Sequence, residues 1–322
     1  MLTRRTVLTA AGALGAFTAA KYFMRFTAAD PKPKATVSFE VPRGACDAHV
    51  HVIGQPQKFP FSPHRDYTPP PATADELLEV LRFLNLDRVV IVTPGVYDSN
   101  SATLAAIKQL GRERARGIAL IEETTSSQAL DSMMETGIAG LRLFLGGGRV
   151  FDATAAAKRL HTVSDFARER GLHLQISTPP DVIAALLAEL DASPVPLVLD
   201  CFAWLAGGVE QPGFDAVLSL VSSGRAYVKL AEPYRVSKKG PDYRDLLPVV
   251  QAFVATNPDR LLWGSGWPHV DSASVPGREK TDLAPNLSVD TGHIFNLLAE
   301  WVPDAEMRRK ILVDNPARLY GF

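Results

Sequence analysis

The 322-residue sequence predicts one α/β domain, a (β/α)8 or TIM barrel, preceded by an N-terminal export signal. Short apolar runs of strand length alternate about eight times with amphipathic helical segments, which is typical of this barrel. The runs are largely apolar on both faces, as in buried parallel strands. A doubly wound open sheet is the alternative, but no Gly-rich phosphate loop follows the first strand to favour it.

The N-terminal segment, residues 1–29, is predicted to be a twin-arginine export signal. Arg4 and Arg5 precede a small-residue apolar stretch from Val7 to Ala20, which is the layout of such signals. Because this stretch is short and Ala-rich for a membrane span, we expect a periplasmic protein with no stable span unless the signal is retained as an anchor. Residues 30–43 form a proline-punctuated linker, and residues 44–322 form the barrel.

The elements of the barrel follow from hydrophobic periodicity. Strand one is predicted at 45–53, and the proline-rich loop 54–72 after it carries aromatic side chains that indicate a lid or a pocket wall. The later strands are predicted at 88–93, 117–121, 139–144, 172–177, 195–200, 226–230 and 260–265. The helices between them are predicted at 73–84, 100–110, 126–136, 154–170, 180–190, 214–223 and 243–255, and residues 288–320 form two or three packing helices.

Composition narrows the class of partner. The formal net charge is −1, with 34 basic and 35 acidic residues, so nothing in the overall charge favours nucleic acid or an anionic membrane as a ligand. The two cysteines, Cys46 and Cys201, are too few for a disulfide framework. Because Cys46 should face away from the His49 side of strand one, both are predicted to be free thiols.

Asp47, His49 and His51 alternate along strand one and therefore share one face. A barrel interior accepts such polar groups only if they are paired, ligated or used. Imidazole is both a common metal ligand and a proton-transfer group near neutral pH. The pattern leaves half of a metal site, a catalytic pair and a plain hydrogen-bonded pair open.

Further candidates lie at the predicted carboxyl ends of the strands, where such barrels place their active sites. Arg142 lies among apolar residues and needs an anion, for which a ligand carboxylate is favoured over a structural one. Together with Arg235, on a loop, it suggests a small anionic organic substrate. His269 follows Trp267-Pro268 and is a candidate for acid–base work. Cys201 is a nucleophile only if a histidine lies beside it.

Two more titratable residues are interpreted as paired or structural groups rather than as catalytic ones. Lys229 is expected to pair with Glu232 or Asp200, although a metal-bridging carbamate is an alternative. His173 lies near the start of strand five, toward the end of the barrel that usually serves stability, and is interpreted as structural.

Several motifs resemble the 2-pyrone-4,6-dicarboxylate lactonase group of the amidohydrolase superfamily. They are Cys46-Asp47-Ala48-His49-Val50-His51, Phe59-Pro60-Phe61-Ser62-Pro63, Arg65-Asp66-Tyr67-Thr68-Pro69, Trp263-Gly264-Ser265-Gly266-Trp267-Pro268-His269 and Leu312-Val313-Asp314-Asn315-Pro316-Ala317-Arg318-Leu319-Tyr320. The resemblance spans nearly the whole chain after the linker. It implies a (β/α)8 barrel that hydrolyses carboxylated lactones without a bound metal, and the group also contains lactone isomerases.

The resemblance also implies roles for single residues. His49 and His51 would polarise the lactone carbonyl, and Tyr67, Arg142 and Arg235 would hold substrate carboxylates. Four positions depart from the family pattern. Cys201 replaces a third histidine, Trp204 an arginine, Ser177 a tyrosine, and Gly266 the strand-eight acid that activates water.

These arguments lead to one functional prediction with two alternatives. We predict a metal-independent hydrolase of a small carboxylated lactone or related cyclic ester, because a divalent metal normally needs three protein ligands and only His49 and His51 are secure. The predicted catalytic residues are His49, His51, Asp47 and His269, and the predicted substrate contacts are Tyr67, Arg142, Arg235, Ser177, Cys201 and Trp267. The alternatives are a lactone isomerase and, since Gly266 has no side chain, a non-catalytic periplasmic barrel that binds an organic acid.

Overall fold

A computed structural model describes residues 32–121, 125–145, 151–273 and 275–322. The predicted export signal lies outside these residues. Eight parallel strands form one sheet in the order β1 to β8, so that each strand pairs with the next one along the chain. The strands are β1 (Cys46–Val50), β2 (Arg88–Val92), β3 (Ala115–Leu120), β4 (Ile138–Phe144), β5 (His173–Ser177), β6 (Leu197–Leu199), β7 (Ala226–Ala231) and β8 (Leu261–Gly264).

The sheet closes on itself just beyond the ends of β1 and β8. The His51 amide donates to the Trp267 carbonyl at 2.8 Å, and the Gly266 amide donates to the His49 carbonyl, also at 2.8 Å. These two bonds join the first strand to the segment after the last. The barrel prediction is therefore confirmed.

Helices lie between the strands and after β8. They are α1 (Ala74–Phe83), α2 (Ser101–Leu110), α3 (Ser127–Thr136), α4 (Ala153–Arg168), α5 (Pro180–Ala185), α6 (Leu187–Asp191), α7 (Phe214–Ser222), α8 (Pro233–Val236), α9 (Leu247–Thr256), α10 (Thr291–Trp301), α11 (Ala305–Arg309) and α12 (Asn315–Tyr320). The predicted helix 180–190 is interrupted at Leu186, whose backbone is not helical (φ −110°, ψ 18°). The predicted helix 243–255 begins at Leu247, because Pro248 lacks an amide hydrogen and is tolerated only in a first turn.

A left-handed turn follows β6. The φ angles of Cys201, Phe202, Ala203 and Trp204 are +48°, +52°, +52° and +58°. For residues with a Cβ atom this conformation costs about 1–2 kcal/mol per residue. Such strain persists where the surroundings impose it, and it concentrates at functional sites.

The long loop 54–72 is anchored at both ends, as expected for a pocket wall. Its ends meet through an antiparallel bridge between Ile53 and Ala72. Near its middle, the Thr68 carbonyl accepts a hydrogen bond from the Ala284 amide at 2.8 Å. Within the described part of the chain, no helix is long and apolar enough to cross a membrane.

The two cysteine side chains lie in different parts of the core. Cys46 packs with Tyr227 and Tyr320 in a small cluster, whereas Cys201 belongs to the main hydrophobic core. Both are free and buried. The prediction of two free thiols is confirmed.

Candidate active site

His49 is the centre of the site at the carboxyl end of the barrel. Its ring is fully buried and lies edge-on to that of His51, with 5.1 Å between ring centroids. Nδ1 faces Lys229 Nζ at 3.5 Å and Asp200 Oδ1 at 3.3 Å. On the other side of the ring, Nε2 lies 3.8 Å from Glu232 Oε2. The two contacts at Nδ1 determine whether Nε2 carries a proton.

The alignment of these groups assigns the tautomer of His49. Lys229 Nζ is aligned to donate to Nδ1, whereas Asp200 Oδ1 has no hydrogen-bond partner among the described residues. A neutral imidazole that accepts at Nδ1 carries its proton on Nε2. Burial lowers the pKa of His49 and the Lys229 charge adds to this effect, whereas the Asp200 carboxylate beside Nδ1 opposes it. His49 therefore has an Nε2–H group that is unpartnered among the described residues and that faces Glu232.

His51 has the opposite arrangement. Its Nδ1 lies 2.7 Å from the Val92 carbonyl, which only accepts, so Nδ1 carries the proton. Burial, together with the adjoining His49 and Arg142, lowers the pKa of His51 to about 3. The neutral ring therefore has a lone pair on Nε2 and accepts a hydrogen bond there. Of the two histidines, only His49 is arranged to donate to an oxyanion.

Asp47 joins β1 to the segment after β8. Its Oδ1 accepts from the amides of His49 at 3.1 Å and Ser265 at 3.0 Å. Burial raises the pKa of Asp47 to about 6, although these hydrogen bonds oppose the shift. The carboxylate is thus engaged with backbone amides beside His49.

Behind His49 lies a fully buried polar cluster. Lys229 Nζ donates to Gln175 Oε1 at 2.6 Å and lies 3.8 Å from Asp200 Oδ1. Gln175 Nε2 in turn donates to Asp200 Oδ2 at 3.0 Å. Burial lowers the pKa of Lys229 to about 8. Burial raises the pKa of Asp200, but the neighbouring His49, Lys229 and Arg142 outweigh it and hold that pKa well below its ordinary value. Lys229 thus lies beside Asp200, one of its two expected partners.

Glu232, which the sequence suggests only as a partner of Lys229, is a buried carboxylate beside His49. It follows β7, is 3% exposed and has a left-handed backbone with φ +54°. Oε1 accepts from Arg235 Nε at 2.7 Å and the Tyr234 hydroxyl at 3.0 Å. Oε2 accepts from the Cys201 thiol at 3.0 Å. Burial raises the pKa of Glu232, but the Arg235 guanidinium outweighs it and holds that pKa well below its ordinary value.

Arg142 and Tyr67 reach the same end of the barrel. Arg142 Nη1 donates to the Thr93 carbonyl at 3.1 Å, and Nη2 lies 3.5 Å from Asp200 Oδ2. Its Nε is buried and has no partner among the described side chains and backbone. Burial raises the pKa of the Tyr67 phenol, while the charges of Arg235 and Arg142 oppose the rise. The structure therefore brings Tyr67 into the field of both arginines.

Arg235 is fixed on the other side of the pocket. Besides Glu232, it donates to Ser272 Oγ at 2.5 Å and to the Val270 carbonyl at 3.3 Å. Two of its five donor hydrogens remain available for an anion. His269 lies behind this group, with Nδ1 3.2 Å from the Tyr234 hydroxyl and Nε2 2.8 Å from Thr291 Oγ1. Both ring nitrogens of His269 are thus engaged, and burial lowers its pKa to about 3.

The remaining predicted contacts lie around this centre. Ser177 Oγ accepts from Trp204 Nε1 at 3.3 Å, which joins the end of β5 to the left-handed turn. The Cys201 thiol donates to Glu232, and burial raises its pKa well above the ordinary value. Trp267 is fully buried in the core, and its carbonyl accepts from the His51 amide. His173, at the start of β5, packs against Tyr320 with 5.3 Å between ring centroids.

A divalent ion in this site would have to be held mainly by His49 and His51. Among the described residues, no group of three or more His, Cys, Asp or Glu side chains is arranged to hold a metal. A thiol with a raised pKa stays protonated, so Cys201 is a poor ligand. His51 Nδ1 and His49 Nδ1 are occupied by Val92 and Lys229.

Comparison with known proteins supplies the family. Residues 46–322 match the amidohydrolase family. A 4-sulfomuconolactone hydrolase from Rhizobium radiobacter is 33% identical over 293 residues, covering 89% of this chain and 93% of its own. A 2-pyrone-4,6-dicarboxylate hydrolase from Comamonas testosteroni is 31% identical over 297 residues, with 88% and 92% coverage. A D-galactarolactone isomerase from Agrobacterium fabrum is 26% identical over 288 residues, with 87% and 91% coverage.

A solved structure agrees with the fold. The chain is similar to an apo crystal structure of Agrobacterium tumefaciens ATU3138, with a TM-score of 0.75, 24% identity, and coverage of 89% of this chain and 98% of that one. The family match and the relatives confirm the resemblance noted in the sequence. The chain belongs to the amidohydrolase family and is similar to its lactone hydrolases.

Proposed function

We propose that the protein hydrolyses a small lactone that bears carboxylate groups, and that it does so without a bound metal ion. The observation that carries the proposal is the meeting of an unpartnered imidazole N–H with two arginines at one end of the barrel. His49 supplies the N–H group, and Arg142 and Arg235 supply the positive charge. The relatives support the reaction class, since their names describe hydrolysis of a sulfonated lactone and of a pyrone dicarboxylate.

The arginines and Tyr67 would bind the substrate. Arg142 Nε has no partner among the described groups, and Arg235 has two donor hydrogens left. Both guanidinium groups act on the phenol of Tyr67, which supports one shared anion pocket. A hydrogen bond to a charged group contributes about 1.5–3 kcal/mol. Two such contacts would select a carboxylated lactone over a neutral one.

The chemistry would then take place at His49. Attack of water on the lactone carbonyl places negative charge on its oxygen, and the His49 Nε2–H group would stabilise that charge. Lys229 would keep the proton on Nε2 by donating to Nδ1. His51 Nε2, which accepts, would orient the water. Cleavage of the ring C–O bond then releases a hydroxy acid.

Lactone isomerisation is the second candidate. The relative named D-galactarolactone isomerase favours it, since it matches 87% of this chain. In that reaction a hydroxyl group of the substrate attacks the carbonyl in place of water. The same oxyanion donor and anion pocket would serve both reactions, so the identity of the attacking oxygen distinguishes them.

The proposal is tested with metal-depleted protein. The enzyme is dialysed against a chelator, its metal content is measured, and ring opening is followed on lactones with one, two or no carboxylates and on their methyl esters. We expect turnover of carboxylated lactones to survive chelation and the esters to react far more slowly. Loss of activity on chelation with recovery on one equivalent of zinc would contradict the metal-free mechanism. Tight binding of every carboxylated lactone without turnover would support the alternative of a non-catalytic barrel that binds an organic acid.

We also propose export by the twin-arginine route, on the pattern Arg4-Arg5 before an apolar stretch. Fractionation of cells that express the full chain, beside the variant with Arg4→Lys and Arg5→Lys, tests it. We expect the wild type outside the cytoplasm and the variant inside. Equal distribution of the two would overturn the export proposal without touching the enzymatic one.

A further inference from the structure

We propose that Glu232 is the general base of this site, which takes the proton from the oxygen that attacks the lactone carbonyl. The inference rests on the proposed function and adds a residue to it. Four observations carry it: the burial of the carboxylate, its position opposite His49, its strained backbone, and its relation to Gly266.

The carboxylate is held in one orientation with one position left open. Oε1 is occupied by Arg235 Nε and the Tyr234 hydroxyl, whereas Oε2 accepts from one described group, the Cys201 thiol. A carboxylate oxygen has two lone pairs, so Oε2 can accept one more hydrogen bond. Oε2 faces His49 Nε2 at 3.8 Å, which is too long for a direct hydrogen bond. The free lone pair and the proposed oxyanion donor thus face the same small space.

The backbone of Glu232 is strained in a way that favours a functional role. Glu232 is not a glycine, so its φ of +54° directly after β7 costs free energy. Nothing in the local sequence requires this conformation. In this conformation the side chain packs against Gly266, in the segment after β8. The surrounding protein therefore holds the carboxylate at this place at some cost in stability.

Gly266 makes room for the carboxylate. A Cβ atom on Gly266 would overlap Glu232 Cγ and would stand 2.5 Å from the Tyr234 hydroxyl and 3.0 Å from Glu232 Cδ. Gly266 itself has φ +75°, which suits glycine. A carboxylate reaching into this corner from β8 is thus replaced by one reaching in from β7. Because position 266 has no side chain, the Glu232 carboxylate fills this corner.

The other candidates for the base are less well placed. Asp47 Oδ1 accepts from two backbone amides, and its Oδ2, although unpartnered among the described residues, is fully buried, whereas Glu232 Oε2 faces His49 Nε2. Both nitrogens of His269 have partners, Tyr234 and Thr291. His51 Nε2 remains, and its neutral ring suits orientation of the attacking group.

The proton balance of the step is complete without a co-reactant. The attacking O–H bond breaks, its proton moves to Glu232 Oε2, and its oxygen bonds to the carbonyl carbon. The negative charge moves from the carboxylate to the carbonyl oxygen, beside His49. When the tetrahedral intermediate collapses, the ring C–O bond breaks and Glu232 returns the proton to the leaving oxygen. In hydrolysis the attacking group is water, and in isomerisation it is a substrate hydroxyl.

The test separates a chemical role from a structural one. Glu232→Gln keeps the shape of the side chain, Glu232→Ala opens a space that formate can enter, and the double variant Glu232→Gly with Gly266→Asp moves the carboxylate to the segment after β8. Tyr234→Phe is the control, because it removes one donor to Glu232 and leaves the carboxylate. Turnover and KM are measured on the lactone that the wild type uses best, with thermal unfolding as the check on folding.

We expect Glu232→Gln to lower kcat by about 10²–10⁴-fold with KM within threefold, and Tyr234→Phe to lower it by less than tenfold. Formate should raise the activity of Glu232→Ala at least tenfold, and the double variant should exceed the single variant Glu232→Gly, made as its reference, by at least tenfold. A Glu232→Gln variant within threefold of the wild type, or a defect that neither formate nor the double variant relieves, would overturn the role of Glu232 and leave the proposed function standing. A wild type inert on every lactone would overturn both.

Discussion

Lys229 Nζ lies 3.5 Å from His49 Nδ1 at the centre of a fully buried cluster. A buried ammonium beside a ring nitrogen donates to it, and the proton of a neutral imidazole is then on the other nitrogen. The lysine side chain is fully buried, so it acts on the site through His49. It is a positioning residue, because it determines which side of the ring donates.

Lys229→Met should remove the group that keeps the proton of His49 on Nε2. We expect kcat to fall by up to about 10²–10³-fold, the loss typical of an oxyanion donor, while the exposed control Lys158→Met stays at the wild-type value. Nitrogen-15 chemical shifts of His49 should report a proton on Nε2 in the wild type. A wild-type spectrum with the proton on Nδ1 would show that Asp200, not Lys229, sets the tautomer.

The same lysine predicts the alkaline side of the pH profile. Burial lowers the pKa of Lys229 to about 8 and that of His51 to about 3. His51 therefore stays neutral and Lys229 stays charged from pH 5 to pH 7, so these two groups should leave kcat/KM unchanged in that range. Above pH 8 the lysine loses its charge and kcat/KM should fall. A rise between pH 5 and 7 with the profile of an ordinary histidine would contradict this assignment.

Asp47 predicts how stability depends on pH. Its pKa is about 6 in the folded protein against 3.8 in the unfolded chain, so between these values the folded state binds more protons. Stability from this group is therefore present below pH 3.8 and is lost as the pH rises to 6. The loss is about 3 kcal/mol, and Asp47→Asn should not suffer it.

Urea unfolding at pH 4.5 and pH 7.5 measures this effect. The free energy of unfolding of Asp47→Asn minus that of the wild type should be larger at pH 7.5 than at pH 4.5. The comparison between two proteins at each pH cancels the other titrating groups. An equal difference at both pH values would mean that Asp47 has an ordinary pKa.

Arg142 predicts the preference for carboxylates. Arg142→Met should raise KM for a carboxylated lactone by about 10- to 100-fold, as expected for a charged hydrogen bond. The effect on the methyl ester of the same lactone should be less than threefold. Arg260→Met is the control, because its Nε donates to the Gly224 carbonyl at the opposite end of the barrel. An equal change in KM for acid and ester would assign Arg142 to the structural pair with Asp200.

The crowding around Gly266 predicts that a side chain at this position destabilises the protein rather than adding a function. Gly266→Asp alone should destabilise the protein by about 1–3 kcal/mol more than Gly171→Asp does. Gly171 has a similar left-handed backbone, with φ +64°, but has open space around its Cβ position. The pair therefore separates crowding by Glu232 from backbone strain. Similar midpoints of thermal unfolding for the two variants would mean that Glu232 moves aside freely.

Periodicity sufficed to predict the barrel but not the details of its active end. The apolar runs of the strands and the capping box at Thr73 are local signals, and they agree with the structure. The break at Leu186 and the left-handed turn from Cys201 have no strong local sequence signal, since none of their residues is glycine or proline. They depend on tertiary packing.

The site was predicted in part. The strand pattern that puts Asp47, His49 and His51 on one face is sound, because alternation along a strand is independent of the rest of the fold. The sequence places Glu232 at the end of strand seven and suggests Lys229 as its partner, but nothing local shows that its side chain fills the space above Gly266. The tautomers of the two histidines depend on Lys229 and Val92, which are far away along the chain.

The most direct test of the account follows the attacking oxygen. Metal-depleted wild-type enzyme turns over a carboxylated lactone in water enriched in oxygen-18, and the product is weighed by mass spectrometry. Hydrolysis predicts one oxygen-18 atom in the new carboxylate of a ring-opened hydroxy acid. An isomeric lactone without the label would contradict hydrolysis in favour of isomerisation, and no product at all would contradict catalysis by this site.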